Sequence, residues 1–296
     1  MIELVKQLRR AASTGMPANV ALMQLLISAP DESTAACALA KARAQSEDAG
    51  EGGAIERIAA IEKSWRDHPN AWGVIRSVVA DYSASLAAPD DALAHWAAFY
   101  DSVAKRSPEA SVALYSLGDS GLLSAASAEI VEYLRARTLV HSRCRVLDIG
   151  CGIGRLTQLL APAVLSIDGI DISGEMIRLA SRRCARFRNV RLSRCSGKDL
   201  SGFASDHFDL VLAVDVFPEF WQGEREIVGD HFREVARVLS TRGTFVICNF
   251  RHGISVDAQR REIAQRAKTA GFTVVVAGER PFALWDGLVF VLELSP

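Results

Sequence analysis

The chain has 296 residues, with 34 lysines and arginines against 35 aspartates and glutamates, and 49% of its residues are hydrophobic. That length accommodates a full α/β domain of about 200 residues beside a smaller unit. A net charge of -1 supplies no concentrated positive field of the kind nucleic acid or a membrane surface demands, and no apolar run reaches the ~18 residues of a membrane span. The six cysteines, Cys37, Cys144, Cys151, Cys184, Cys195 and Cys248, form no C-x-x-C pair and no metal-ligand spacing with histidine. They read as reduced thiols, with no metal site and a cytoplasmic location expected; the start, Met1 to Lys6, has no signal-peptide apolar core.

Residues 1–90 predict five short helices. Leu4, Leu8 and Ala12 share one face of the first, which Gly15 ends. Pro17 suits the first turn of a second carrying Val20, Leu22, Leu25 and Leu26, and Asp31 caps an alanine-rich third. The polar stretch Glu47 to Gly53 separates it from a fourth helix over Ile55 to Trp65. His68-Pro69-Asn70 leads into a fifth from Ala71 to about Leu86. No chemistry is legible in this bundle. Ala87-Ala88-Pro89-Asp90 is the expected seam, giving a helical domain over 1–90 and an α/β domain over 91–296.

A helix over Ala125 to Thr138 then leads to the stretch Val146-Leu147-Asp148-Ile149-Gly150-Cys151-Gly152-Ile153-Gly154-Arg155, which reads as a buried strand, a tight turn and a helix start. Alternating glycines tolerate positive φ and let a flat ligand lie against the backbone, while the free N–H groups of the helix start face whatever binds. A dinucleotide fingerprint needs G-x-G-x-x-G, but the spacing here is G-x-G-x-G, and no phosphate cradle ending in Gly-Lys-Ser/Thr follows. With Asp148 leading it, the stretch resembles the first motif of class I S-adenosylmethionine-dependent methyltransferases, and the resemblance covers roughly Ala92 to the C-terminus.

The resemblance implies a Rossmann-like seven-stranded sheet of order 3-2-1-4-5-7-6 with the last strand antiparallel, S-adenosylmethionine as cofactor, Asp148 on its amino group, and Gly150, Cys151, Gly152 and Gly154 beside its methionine part. It also makes Ala92 to Asp101, with Tyr100 and Tyr115, an aromatic lead-in that folds over the cofactor. The second strand, over Val164 to Ser173, ends in Gly-Ile-Asp-Ile-Ser. An acidic residue at a strand exit can accept both hydroxyls of a ribose diol, so Asp171 takes that role in preference to Asp168, which lies inside the strand. Ile172 and Met176 would flank the adenine.

Val190-Arg191-Leu192 predicts a third strand. The acidic position after it is replaced by Ser196-Gly197, so Ser196, a backbone carbonyl or Asp199 could read the adenine. Phe208-Asp209-Leu210-Val211 opens the fourth strand. A helix over Ile227 to Leu239, a fifth strand over Thr244 to Asn249, a helix over Val256 to Ala270 and two strands near Phe272 to Val276 and Leu288 to Leu294 complete the pattern. The arginines Arg178, Arg182, Arg183, Arg186, Arg188, Arg191 and Arg194 read as a solvated face.

Candidates at the strand ends for acceptor chemistry are Asp215, Glu219, Asn249, Arg251 and His252. Glu219 and His252 are the candidate proton acceptors, and Asp215 is also a candidate cofactor contact. Phe217, Phe220, Trp221, Phe250, Phe282 and Trp285 are expected to line a pocket for a small, apolar or aromatic acceptor, methylated at oxygen or nitrogen. The Asn/Asp-Pro-Pro-Tyr signature of base methylation is absent after the fourth strand. Alternatives are a cofactor-binding scaffold without turnover and an aminopropyl transferase. Residues 1–90 are expected to cap the acceptor pocket or to form a homodimer, the apolar Trp65, Trp72 and Val74 to Val79 favouring the dimer.

Overall fold

The computed structural model describes residues 1–85, 92–220 and 225–295. The expected seam at 87–90, Asp91 and Trp221 lie outside the described residues. The chain divides into two compact units, one gathering Met1–Leu86, Val103–Ala126 and Phe282–Asp286, the other Ala87–Ser102, Ser127–Pro281 and Gly287–Pro296.

The first unit is helical: α1 (Ile2–Thr14), α2 (Ala18–Ser28), α3 (Glu32–Asp48), α4 (Gly52–Asp67) and α5 (Ala71–Ser85) precede α6 (Ala92–Arg106), α7 (Pro108–Val112) and α8 (Ser120–Ala136), of which α6 and α8 each contribute to both units. Leu4, Leu8, Ala11 and Ala12 form the buried stripe of α1, and Gly15 closes it at φ 72° with its N–H on the Ala11 carbonyl. The Asp31 carboxylate accepts the Thr34 N–H at 2.7 Å and starts α3. Leu22, Leu25 and Leu26 of α2 are fully buried, each worth about 1.5–3 kcal/mol of transfer free energy. Trp65, Trp72 and Val79 are partly buried against this core.

The second unit carries β1 (Arg145–Ile149), α9 (Arg155–Leu160), β2 (Ser166–Asp171), α10 (Gly174–Cys184), β3 (Val190–Arg194), β4 (Phe208–Val214), α11 (Phe217–Phe220), α12 (Arg225–Val238), β5 (Leu239–Cys248), α13 (Val256–Ala270), β6 (Phe272–Glu279) and β7 (Val289–Leu294). They build one seven-stranded sheet of order β3-β2-β1-β4-β5-β7-β6, in which β1 to β5 pair in parallel and β7 is antiparallel to both its neighbours. The near-continuous apolar runs of β1 and β4 suit strands covered on both faces. The chain steps outward from β1 to β2 and β3, then returns to place β4 on the other side of β1, so the strand order reverses between β1 and β4 and opens a crevice at their carboxyl ends.

One boundary differs from the sequence reading. β5 begins at Leu239, five residues early, because Phe208 pairs with Leu239 and Leu210 with Thr244, so Ser240 to Gly243 bulge opposite the single residue Asp209. Arg242 adopts φ 63° within that bulge.

Candidate cofactor and acceptor site

Four acidic side chains gather at the carboxyl ends of β1, β2 and β4 and just beyond. Asp148, near the end of β1, is 2% exposed, and one oxygen accepts the Thr157 hydroxyl of α9 at 2.7 Å. Burial pushes its pKa up to about 6 against that hydrogen bond. The glycine turn follows with Gly150, Gly152 and Gly154 all in the left-handed region, at φ 65°, 53° and 74°. A Cβ on Gly150 would come within 2.3 Å of Val216 Cγ2, and one on Gly154 within 3.1–3.3 Å of Ala180 and Cys184, so Gly154 permits α9 to pack on α10. Cys151 is buried and its N–H joins the turn to the Ile170 carbonyl of β2.

Asp171 closes β2 with both oxygens engaged by backbone: one accepts the Gly152 N–H at 2.9 Å, the other the Ser173 N–H at 2.8 Å. A carboxylate offers about four lone-pair sites, so two are left for a ligand diol. Burial raises its pKa to about 6, opposed by these backbone donors. Asp168, by contrast, is bound bidentately by Arg191 at 2.8 and 2.9 Å. Ser173 caps α10 by accepting the Met176 N–H, Met176 is 2% exposed, and Ile172 and Gly197 approach closely: a Cβ on Gly197, at φ 75°, would lie 2.8 Å from Ile172 Cγ2. Ser196 is exposed and its hydroxyl accepts the Lys198 N–H at 3.2 Å.

Beyond β4 the backbone turns left-handed at Asp215 (φ 56°), and beyond β5 it does so at Asn249 (φ 59°). The Asn249 amide donates to Asp215 at 2.7 Å and its carbonyl oxygen accepts the Leu288 N–H at 2.9 Å, so two adjacent strand exits lock each other. Such non-glycine positions concentrate at functional sites. Four residues on, Glu219 of α11 accepts the Tyr100 hydroxyl of α6 at 3.0 Å. Burial, with the Asp215 charge adding to it, raises Glu219 to about 7, and burial beside Glu219 holds the Tyr100 phenol well above its ordinary value.

The neighbouring Asp101 supplies a contact the sequence did not announce. One of its oxygens accepts both the Ser173 hydroxyl and the Glu175 N–H, tying α6 to the start of α10 across more than seventy residues. Thr157, one turn into α9, was legible only as a helix residue.

His252 is exposed in the turn after β5, and Arg251 pairs with Glu262 at 2.8 Å. Tyr115 belongs to the first unit, where it stacks on Trp285 at 5.5 Å, and Phe282 stacks on the same indole at 5.4 Å. The expected pocket-lining role of Phe217, Phe220 and Phe250 is corrected: all three are buried, and Phe217 packs on Phe220, Phe232, Phe245 and Phe250 as the centre of an aromatic core. Their hydrophobic surface is spent on holding α11 and α12 to the sheet.

Against known proteins, residues 146–243 match the family described as the methyltransferase domain. Over 107 residues the chain is 36% identical to demethylmenaquinone methyltransferase of Tropheryma whipplei, covering 36% of this chain and 42% of that one, so it spans less than half the length of that relative. Among solved structures, magnesium protoporphyrin IX methyltransferase of Synechocystis with bound S-adenosylmethionine shares the fold at TM-score 0.53 and 18% identity, over 71% of this chain and 99% of that one. Phosphoethanolamine N-methyltransferase 1 of Haemonchus contortus, in complex with phosphoethanolamine and S-adenosylhomocysteine, does so at 0.55 and 15%, over 69% and 49%. Residues 146–243 thus match a methyltransferase domain, within a sheet of the order that the resemblance to class I S-adenosylmethionine-dependent methyltransferases implied.

The donor set fits that cofactor. Acids whose burial disfavours their charge suit a ligand bearing a sulfonium and an ammonium group, and the two remaining lone-pair sites of Asp171 suit a ribose diol. Among the described residues no group of three or more His, Cys, Asp and Glu is arranged to hold a metal ion, and no helix is long and apolar enough to cross a membrane.

Proposed function

We propose that this protein transfers a methyl group from S-adenosylmethionine to a hydroxyl or amine of a small molecule. The observation that carries this reading is the convergence of the glycine turn with Asp148, Asp171, Asp215 and Glu219 at one sheet edge. When bound, S-adenosylmethionine supplies a methyl group made electrophilic by its sulfonium charge. The chain's own work is to bind, align and exclude water. Asp171 takes the ribose, Asp148 the amino group, and Ile172, Met176 and the Ser196–Gly197 turn the adenine. Asp215, held by Asn249, stands at the exit of β4 and shapes the floor of the acceptor site.

Glu219, oriented by Tyr100, receives the acceptor's proton, and a pKa of about 7 suits that task at neutral pH. His252, exposed in its turn, is the less supported base. Because the aromatic lining expected from the sequence belongs to the core, the acceptor is defined here by its transferable proton, with an apolar or aromatic body retained as part of the proposal. Residues 1–90 serve as a cap or, as we favour, a homodimer surface, in a cytoplasmic enzyme.

The test is a methyl-release assay against pooled metabolite extract, read by the mass shift of the acceptor. A product heavier by one methylene supports transfer. Cofactor binding with no turnover on any pool moves the protein to the scaffold reading.

A further inference from the structure

The net charge of -1 averages over an uneven distribution. Residues 174–198, which run from α10 through β3 into the turn beyond it, hold seven arginines and one lysine against the single acid Glu175. Four of those arginines, Arg182, Arg183, Arg186 and Arg188, fall within seven residues, at the last turn of α10 and the connection into β3. Arg182, Arg186 and Arg188 are exposed and have no ion-pair partner among the described residues, whereas Arg178 pairs with Glu175 and Arg191 with Asp168.

The topology sets this cluster beside two other strand starts. Asn189, next to Arg188, donates its side-chain amide to the Ala161 and Val164 carbonyls at 2.8 and 3.1 Å, and its own carbonyl accepts the Ile167 N–H of β2 at 2.9 Å. The Leu165 N–H donates to the Cys144 carbonyl at 2.9 Å, which brings in Arg143, also exposed and without an ion-pair partner among the described residues. Arg188, Leu165 and Arg143 thus precede β3, β2 and β1, three neighbouring parallel strands, at the amino edge of the sheet. Strands lie about 4.8 Å apart, so these positions span about 10 Å. Leu165 is 56% exposed, more than any other large apolar side chain of the α/β unit among the described residues. A lone exposed leucine is ordinary, but one flanked by arginines on both sides is an apolar tip inside a positive field. The acids of β2 and β4 nearest this edge, Asp168 and Asp209, are each held bidentately, by Arg191 and Arg145, and leave that field standing.

We propose that the amino edge of the sheet, at β1 to β3, docks on the surface of an anionic phospholipid membrane, with Arg143, Arg182, Arg186 and Arg188 on lipid phosphates and Leu165 inserted at the headgroup boundary. Guanidinium groups meet phosphate oxygens bidentately, and an apolar tip among them gains by leaving water. The backbone of a nucleic acid would answer the arginines but leave Leu165 in water, and that difference favours the membrane. The glycine turn and the acids of the cofactor site lie at the opposite, carboxyl edge of the sheet, so docking leaves that site uncovered.

Co-sedimentation of the full-length protein with vesicles of equal parts phosphatidylcholine and phosphatidylglycerol tests this. Binding is expected at low salt, at least tenfold tighter than to pure phosphatidylcholine, and is lost as ionic strength rises. An arginine at an anionic surface multiplies binding by roughly fivefold, so Arg186→Glu combined with Arg188→Glu should weaken it at least tenfold. Leu165→Ser should weaken it roughly threefold or more, and polyuridylic acid at equal phosphate concentration should leave the protein on the vesicles. Equal binding to the two vesicles, an unchanged affinity in the double variant or in Leu165→Ser, or displacement by polyuridylic acid, which would make nucleic acid the partner, would overturn the proposal. All three substitutions fall at exposed positions, so the variants fold. S-adenosylmethionine affinity measured on them stays at the wild-type value, keeping this result separate from the methyltransferase reading.

Discussion

Asp171 shows how one side chain does several tasks. Its carboxylate clamps the glycine turn through Gly152 and the start of α10 through Ser173, so it is part of the fold as well as the proposed ribose contact. Asp171→Ala is therefore expected to lower the melting temperature, by leaving buried N–H groups unpaired at about 1–3 kcal/mol each, and to weaken cofactor binding at least tenfold. The sequence suggested only the second effect, because a strand-end acid is legible in a motif while the backbone donors that surround it are not. Gly150→Ala adds strain from the left-handed backbone to a 2.3 Å overlap with Val216, and a loss of roughly 1–3 kcal/mol is expected in denaturant unfolding.

The same residues carry a pH signature. Asp148 and Asp171 rise from 3.8 to about 6 on folding, so between those values the folded chain holds protons that the unfolded chain has released. Stability of the free protein should fall as pH rises from 4 to above 6, by up to about 2–3 kcal/mol per group for these buried acids. Unfolding curves across that range check the direction; a stability that climbs through it would contradict the burial argument. Cofactor affinity should run the opposite way and strengthen as the acids ionise.

At the scale of elements, α6 is the piece that joins chemistry to architecture. Successive residues point to two places: Tyr100 reaches Glu219 beyond β4, and Asp101 holds the start of α10 beyond β2. Tyr100→Phe removes a hydrogen bond that favours ionised Glu219, so the pH limb of turnover assigned to Glu219 should move upward from about 7, while Glu219→Gln should abolish the limb and cost roughly 10²-fold or more in kcat. A pH–rate profile of the three proteins decides this. An unmoved limb in Tyr100→Phe and a retained one in Glu219→Gln would assign the proton to another group. The sequence placed the aromatic residues of α6 before the first strand but could not show Asp101 as a cap, since its partners are distant in the chain. It also read Phe217 and Phe250 as pocket residues. Loops after strands expose some aromatics and bury others, and only packing against Phe232 and Phe245 distinguishes the two.

For the whole molecule, most strands were legible from apolar runs and the glycine turn marked the first, while their order in the sheet followed only from the resemblance to class I methyltransferases. The bulge of Ser240 to Gly243 was not legible, since a four-residue detour leaves the apolar run of β5 intact. The helical bundle was legible as helices but not as a function. Light scattering on the full chain is expected to give a dimer mass, and a monomer would leave residues 1–90 as a cap. The most direct test of the whole account is calorimetric titration with S-adenosylmethionine. One site with a Kd in the micromolar range or tighter, about -8 kcal/mol, is expected, with no binding of NAD. Binding of NAD with no heat from S-adenosylmethionine would contradict it.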